Sequence, residues 1–262
     1  DKLKHFDKLG KHLQDDETIS FKKTNGNGQP RRVSYTKQTR QNLILASSKS
    51  NEYAEHGSMQ GRVVSMDRDD KKFELKLASG KKLKASFPKK IEEPLMKAFN
   101  SARPVTNNHP IQIEAQLVYD RSHSLKELRH IEDVTQLSPL DTNFQLDELA
   151  HLKDGWLDGE GIAPDSQTIE KLKPIFDHLF EWNQLPLPRL YPTEEGNVLA
   201  EWLIDRQDLS LDVTLDENLT ATFDAVNLDD EEDDGDEQKF KLKEPEDVEA
   251  FIKHFSQYIQ NT

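Results

Sequence analysis

Chemistry in this chain has to come from carboxylates, histidines and lysines, because its 262 residues include no cysteine. Asp154, Asp158 and Glu160 crowd a glycine-rich stretch, Gly155-Trp156-Leu157-Asp158-Gly159-Glu160-Gly161-Ile162-Ala163-Pro164. Neighbouring carboxylates are what general acid and base work requires, provided one of them is held protonated by an apolar pocket. Among 49 acidic residues such neighbours arise by chance, and nothing in the spacing sets one apart. The nine histidines form no H-E-x-x-H and no helical metal pair, and His123 and His130 flank one strand without a third ligand. No phosphate-binding loop or nucleophile elbow is present either. The run Asp229-Asp230-Glu231-Glu232-Asp233-Asp234-Gly235 invites a calcium loop beginning at Asp230, with Gly235 correctly sixth. Lys241 then falls twelfth, where a bidentate glutamate is needed, so the loop fails as an EF-hand. The expectation is a protein without catalytic residues, metal or cofactor.

What remains is charge, and it is divided. Residues 1–140 hold 26 Lys and Arg against 18 Asp and Glu, a balance of +8, whereas residues 141–262 hold 9 against 31, a balance of −22. Together they give the net −14. A chain split in this way has two kinds of partner, or two halves that neutralise each other within or between chains. Lys72, Lys76, Lys82 and Lys84, with Lys89 and Lys90, are the candidate nucleic-acid contacts. Phe73 and Phe87 share the phase of the buried leucines, which leaves that basic face without an aromatic platform for bases. Trp156, Asp158, Glu160 and Asp229 through Asp234 are the candidate contacts for a basic protein. Trp156 and Trp202 are expected to pack together and hold the glycine-rich loop against the strands that follow it.

The elements that must position these groups follow from periodicity. An amphipathic helix over residues 2–13 (Leu3, Phe6, Leu9, Leu13), a strand-like piece from Thr18, a turn-rich segment and a helix over Lys37–Ala46 make an N-terminal extension, with 47–56 as linker. Over 57–137 the order is three strands (Gly61–Met66, Lys72–Ala78, Lys81–Phe87), a helix over 89–100, then strands at 110–119 and 125–135. That is the order of an OB-like small β-barrel, with an SH3-like barrel as its rival. Residues 138–262 read as an acidic α+β domain. A helix from Leu146 to Lys153 precedes the glycine-rich loop, and Asp165 or Ser166 caps a second helix that Pro174 kinks or restarts. Alternating strands at 198–204, 209–215 and 219–225, with a fourth at Phe240, make an antiparallel β-meander covered on one side by helices, the last starting at Pro245.

The stretch 155–164 and its echo at 191–202, Tyr-Pro-Thr-Glu-Glu-Gly-Asn-Val-Leu-Ala-Glu-Trp, resemble a bacterial domain of the pattern GW-x-DGEGA-x-P-x-S, helix, LP-x-P-x-x-x-PT-x-x-G-x-x-x-x-EW. The resemblance covers roughly the last 120 residues and departs from the pattern in placing Ile162 before Ala163. The earlier segment resembles small barrels of antitoxin-like proteins at Gly61, Val63, Asp67, Asp69, Phe73, Leu75, Leu77, Gly80, Tyr119, Asp120, Leu128, Ile131 and Glu132. Domains of the first kind stand beside toxin or phage-defence genes and carry no known catalytic residues. The resemblance therefore implies a cytoplasmic bacterial antitoxin, immunity protein or accessory subunit of a defence system, bound to a basic, nucleic-acid-acting protein. A nucleic-acid-binding module working through the barrel is the alternative, and a homo-oligomer is the third reading. With only short apolar runs and a charged start, neither a membrane span nor a secretory signal is visible.

Overall fold

The computed structural model describes residues 9–11, 13, 17–24, 30–47, 52–100, 109–229 and 235–259. The N-terminal extension is less helical than its sequence reads. Residues 1–8 lie outside the described residues, and Leu9–Lys11 form a turn in which Gly10 takes φ +68, so the helix expected over 2–13 does not reach Leu13. Strands β1 (Thr18–Thr24) and β2 (Pro30–Thr36) pair antiparallel as an isolated two-stranded ribbon, and helix α1 (Lys37–Ser47) follows directly. The linker expected over 47–56 is corrected in part. From Tyr53 onward the chain is already strand β3 (Tyr53–Asp67).

β3 organises the first sheet. It pairs with β4 (Lys72–Lys76) through its second half and with β6 (Ile111–Tyr119) through its first, while β5 (Lys82–Ser86) and β7 (Leu125–Gln136) extend the two flanks. The order β5-β4-β3-β6-β7 is antiparallel throughout, which makes the two edge strands, β5 and β7, run parallel to each other. The sheet curls into a half-barrel around Val63, Leu75, Leu83, Ile111, Ile113 and Leu128. After a short turn at Lys89–Ile91, helix α2 (Glu92–Asn100) closes that core with Leu95 and Ala98. The curvature has a local cause where Gly61 lies against Leu75: a Cβ there would sit 2.7 Å from the leucine side chain and 2.8 Å from the Lys76 carbonyl.

The second core is built on a meander. Helices α3 (Thr142–Ala150) and α4 (Ser166–Asp177) precede strands β8 (Arg189–Pro192), β9 (Val198–Ile204), β10 (Gln207–Val213), β11 (Thr220–Asn227) and β12 (Asp236–Lys241), and helix α5 (Pro245–Ile259) ends the fold. Each strand pairs with the next in antiparallel register. β8 was not expected, and α3 starts four residues earlier than its leucines imply because Asp141 caps it, accepting from the Phe144 N–H at 2.8 Å. Asp165 caps α4 in the same way. Pro174 does not restart that helix, which runs on to Asp177 and widens into a π turn over His178–Trp182.

All three helices press on one face of the sheet. Val198, Ala200, Trp202, Leu209, Leu211, Val213, Ala221 and Phe223 are buried there with Phe176, Phe180, Phe251 and Phe255. Trp202 packs on Phe255 and Phe180 and donates its indole N–H to the Pro186 carbonyl at 2.7 Å. Among the described residues, the other face carries no helix. Between the two cores, Arg62 of β3 grips Glu148 of α3 with both ends of its guanidinium (Nη2 to Oε2 2.6 Å, Nε to Oε1 3.3 Å) and lies 4.7 Å over the Phe144 ring. No helix among the described residues is long and apolar enough to cross a membrane.

Candidate docking face and basic groove

The glycine-rich loop is a scaffold that bonds to itself. Gly155 N–H donates to the Gly161 carbonyl at 2.8 Å, Ala163 N–H to Asp154 Oδ1 at 2.9 Å, and the Trp156 indole to the Ile162 carbonyl at 3.1 Å. Asp154 is thus a backbone clamp. Gly161, at φ +83, lies under the Trp156 ring, where a Cβ would meet Nε1 at 2.8 Å. The expected packing of Trp156 on Trp202 is corrected: no ring pair joins them among the described residues, Trp202 belongs to the core, and Trp156 serves its own loop. The loop is tied instead to the turn between β8 and β9. Ile162 N–H donates to the Glu194 carbonyl at 2.8 Å, and Gly196 sits against the Ile162 side chain.

That turn leads onto the helix-free face of the meander, where the structure gathers charge that the sequence reading missed. Residues that alternate with the buried positions form rungs across the strands: Leu203, Asp208 and Val226; then Arg189, Glu201, Ser210, Asp224 and Glu237; then Tyr191, Leu199, Asp212, Thr222 and Lys239. The three central strands, β9 to β11, present four carboxylates (Glu201, Asp208, Asp212, Asp224) and contain no lysine or arginine at all. Within the strands, cations appear on β8 and β12, where Lys239 pairs with Glu237 at 3.5 Å, and Arg206 of the β9–β10 turn is held by Asp229. Asp224 directly opposes Glu237, and like charges across a ladder repel. At the centre, burial and the nearby Glu195 and Asp224 carboxylates push the Asp212 carboxyl above its ordinary value, and its Oδ1 is buried with no hydrogen-bond partner among the described residues. Large apolar side chains stand exposed beside this charge: Leu203 is 71% accessible and Leu228 56%.

The residues expected to meet a basic protein are therefore only partly brought together. Trp156, Asp158 and Glu160 lie in the self-bonded loop, linked to the face through the Glu194–Glu195 turn. Asp229 follows the end of β11 and is already ion-paired with Arg206. Asp230, Glu231, Glu232, Asp233 and Asp234 lie outside the described residues.

The barrel lysines are dispersed and partly neutralised. Lys72 pairs with Asp70 at 3.1 Å and Lys82 with Glu74 at 3.2 Å, while Lys76, Lys84, Lys89 and Lys90 are exposed. Phe73 and Phe87 face each other inside the core, 6.2 Å apart, as their phase requires. Of the six lysines, Lys72 and Lys84 reach a groove of about 580 Å³ between the edges of β5 and β7, lined also by Ser86, Glu127, Arg129 and His130. Arg129 there is held by Glu127 at 2.7 Å. His130 sits at φ +46 in an irregular stretch of the β6–β7 ladder, and His123 joins Tyr53 Oη (3.0 Å) to Gln38 (3.1 Å), docking α1 onto the barrel. Burial above all, then the charges of Glu55 and the neighbouring groups, pushes Tyr53 up to about 12, so its hydroxyl stays protonated in that contact. No group of three or more His, Asp or Glu able to hold a metal occurs among the described residues.

No protein-family model matches this chain, no curated protein matches it, and no solved structure matches it.

Two outcomes test this geometry. Gly159→Ala and Gly161→Ala both place an L residue at positive φ and lose about 1–2 kcal/mol for that reason. Gly161→Ala also displaces the Trp156 ring and its hydrogen bond, so denaturant unfolding should find it at least about 1 kcal/mol less stable than Gly159→Ala, whose Cβ meets nothing. For Asp212 the sign is set by its raised value: the folded chain binds the proton more tightly than the unfolded chain, so this group's ionisation opposes folding as pH rises through that interval. Asp212→Asn should stabilise the fold at neutral pH, with a gain that shrinks to nothing once pH falls below the ordinary carboxyl value of 3.8; melts across that range decide it.

Proposed function

We propose that the protein is a non-enzymatic interaction subunit that binds a basic protein through the open face of its C-terminal sheet, in the manner of an antitoxin, immunity protein or accessory subunit. One observation carries the reading: three adjacent central strands turn four carboxylates, and no lysine or arginine, toward their helix-free face, beside a leucine that is 71% accessible. Evenly spaced negative charge on a rigid sheet steers a basic partner to the surface, and the apolar side chains provide area that loses water on contact. A partner's lysines or arginines would also relieve the repulsion among Asp224, Glu237 and Asp212. The resemblances at 155–202 and 61–132 support a role in bacterial toxin or phage-defence systems, with a nucleic-acid-acting protein as the one bound, and the reading keeps the protein in the cytoplasm.

In this reading the two cores are two domains, 57–137 and 138–262, and the half-barrel is of OB type. Its edges β5 and β7 run parallel across a narrow groove, and joining them would give a five-stranded, partly open barrel with a helix between its third and fourth strands. That groove supports the second reading, a nucleic-acid contact made by Lys72, Lys84 and Arg129. The pairing of Lys72 and Arg129 with carboxylates weakens it.

The test is affinity capture from the native cells. At low salt, wild-type protein should recover one basic protein at stoichiometric amount, and Asp208→Lys/Asp224→Lys should recover less than about a tenth as much, as should wild type at a Debye length near 3 Å. Equal recovery by the charge-reversed variant sinks the reading, and recovery of nucleic acid without a dominant protein transfers the function to the barrel.

A further inference from the structure

The isolated ribbon is the part of the fold with least to hold it. It belongs to neither five-stranded sheet, and a single two-stranded ribbon is marginal in water. Its register sets Phe21 opposite Val33, and both are open to solvent, at 43% and 51%. The next rung, on the opposite face of the ribbon, sets Lys22 against Arg32, and both are exposed. Like charges repel across the ladder, so an anionic surface laid on that face removes a repulsion as well as adding attraction. At its base Tyr35 is buried, meets the Phe21 ring edge-on at 6.3 Å and donates to the Leu9 carbonyl, which anchors one end and leaves the other free.

The open face of the meander has the opposite make-up. An apolar pair, Leu203 and Val226, shares a rung with Asp208, and the next rung holds Glu201 and Asp224. The Lys22–Arg32 face of the ribbon is positive and the open face of the sheet is negative. Among the described residues no hydrogen bond or ion pair joins the two within one chain, and Lys22, Arg32, Leu203 and Asp208 are exposed in it. We infer that the ribbon of one copy docks on the open sheet face of a second copy, a head-to-tail contact that occupies the face the basic partner would use. The inference rests on the reading of that face as a docking surface and adds its regulation: self-association holds the face covered, and a basic partner displaces the ribbon. Because the two surfaces differ, the contact is heterologous, so it closes into a ring or extends as a chain of copies. A polynucleotide is the other anionic occupant a basic ribbon with an exposed aromatic can take. The net charge of −14 opposes its approach, whereas the sheet face supplies its negative charge on the same chain.

Sedimentation velocity of the full chain at low and high salt tests the contact, using two variants: Lys22→Glu/Arg32→Glu, which keeps the acidic face, and Asp208→Lys/Asp224→Lys, which keeps the ribbon. Wild type should sediment as larger species whose share rises with concentration and falls with salt, and each variant alone as a monomer. Mixing the two variants should restore association, because each then offers the surface the other lacks; that restoration also shows both are folded. A wild type that stays monomeric at low salt overturns the inference, as does a mixture that does not associate. Binding of a labelled oligonucleotide by a monomeric wild type, lost in Lys22→Glu/Arg32→Glu, overturns it in favour of a polynucleotide. If wild type is monomeric yet captures a basic protein that Asp208→Lys/Asp224→Lys does not, self-docking alone is refuted and the partner reading stands.

Discussion

The meander's helices reach only one of its faces, and most of what this chain can do follows from that constraint. A strand alternates its side chains, so covering one face with α3, α4 and α5 fixes every second residue of β9, β10 and β11 in an apolar core and turns the rest toward water. The buried set is aromatic and closely interlocked: Phe223 meets Phe251, Phe255 and Tyr258, and Trp202 meets Phe180 and Phe255. Rigidity on that side makes the exposed carboxylates a fixed pattern rather than a mobile cloud. Charge held at the spacing of a ladder recognises a partner better than the same charge on a flexible segment, since less ordering is required on contact.

The same principle separates the loop at 155–163 from the role its composition invites. Its carboxylates are close in sequence, but its hydrogen bonds run inward, from Gly155 to Gly161, Asp154 to Ala163 and Trp156 to Ile162. The loop acts as a brace for the β8–β9 turn, and that turn sets Glu195 near Asp212. In the proposed reading its contribution to binding is indirect, through the edge of the sheet it supports. On the barrel, carboxylates paired with Lys72, Lys82 and Arg129 reduce the field that the lysine count alone implies.

Much of the fold was legible because apolar residues two apart mark a strand with one wet face. Leu209, Leu211 and Val213, or Phe73 and Leu75, leave little doubt of phase, and both Phe73 and Phe87 are buried as that phase requires. The first half of β3 was not legible, since His56 and Ser58 are exposed and Glu55 is spent on Arg40; the ladder with β6, and not an apolar core, holds this stretch straight. β8 is four residues ending in a proline, too short to show a period. The ribbon carried its own signal in Ile19 and Phe21, Val33 and Tyr35 on either side of the sequence Asn25-Gly26-Asn27-Gly28, a pattern that favours a hairpin. The acidic face was equally present as Glu201, Asp208, Asp212 and Asp224. A dense run such as 229–234 draws attention first, although regular spacing is what puts charge on a rigid surface. Capping by Asp165 and the start of α5 at Pro245 were visible because they depend on local chemistry alone.

The central claim is that the helix-free face of the meander is the surface that other molecules cover. Carboxylate footprinting addresses it directly: side-chain acids are labelled with a carbodiimide and an amine in the complex purified at low salt and again after dissociation, and each site is read by mass spectrometry. The account predicts that labelling of Asp208, Asp224 and Glu237 drops in the complex and returns at high salt, while Asp69 and Asp70 on the barrel turn keep theirs. Unchanged labelling on the sheet, with protection appearing on the barrel or elsewhere, would contradict it.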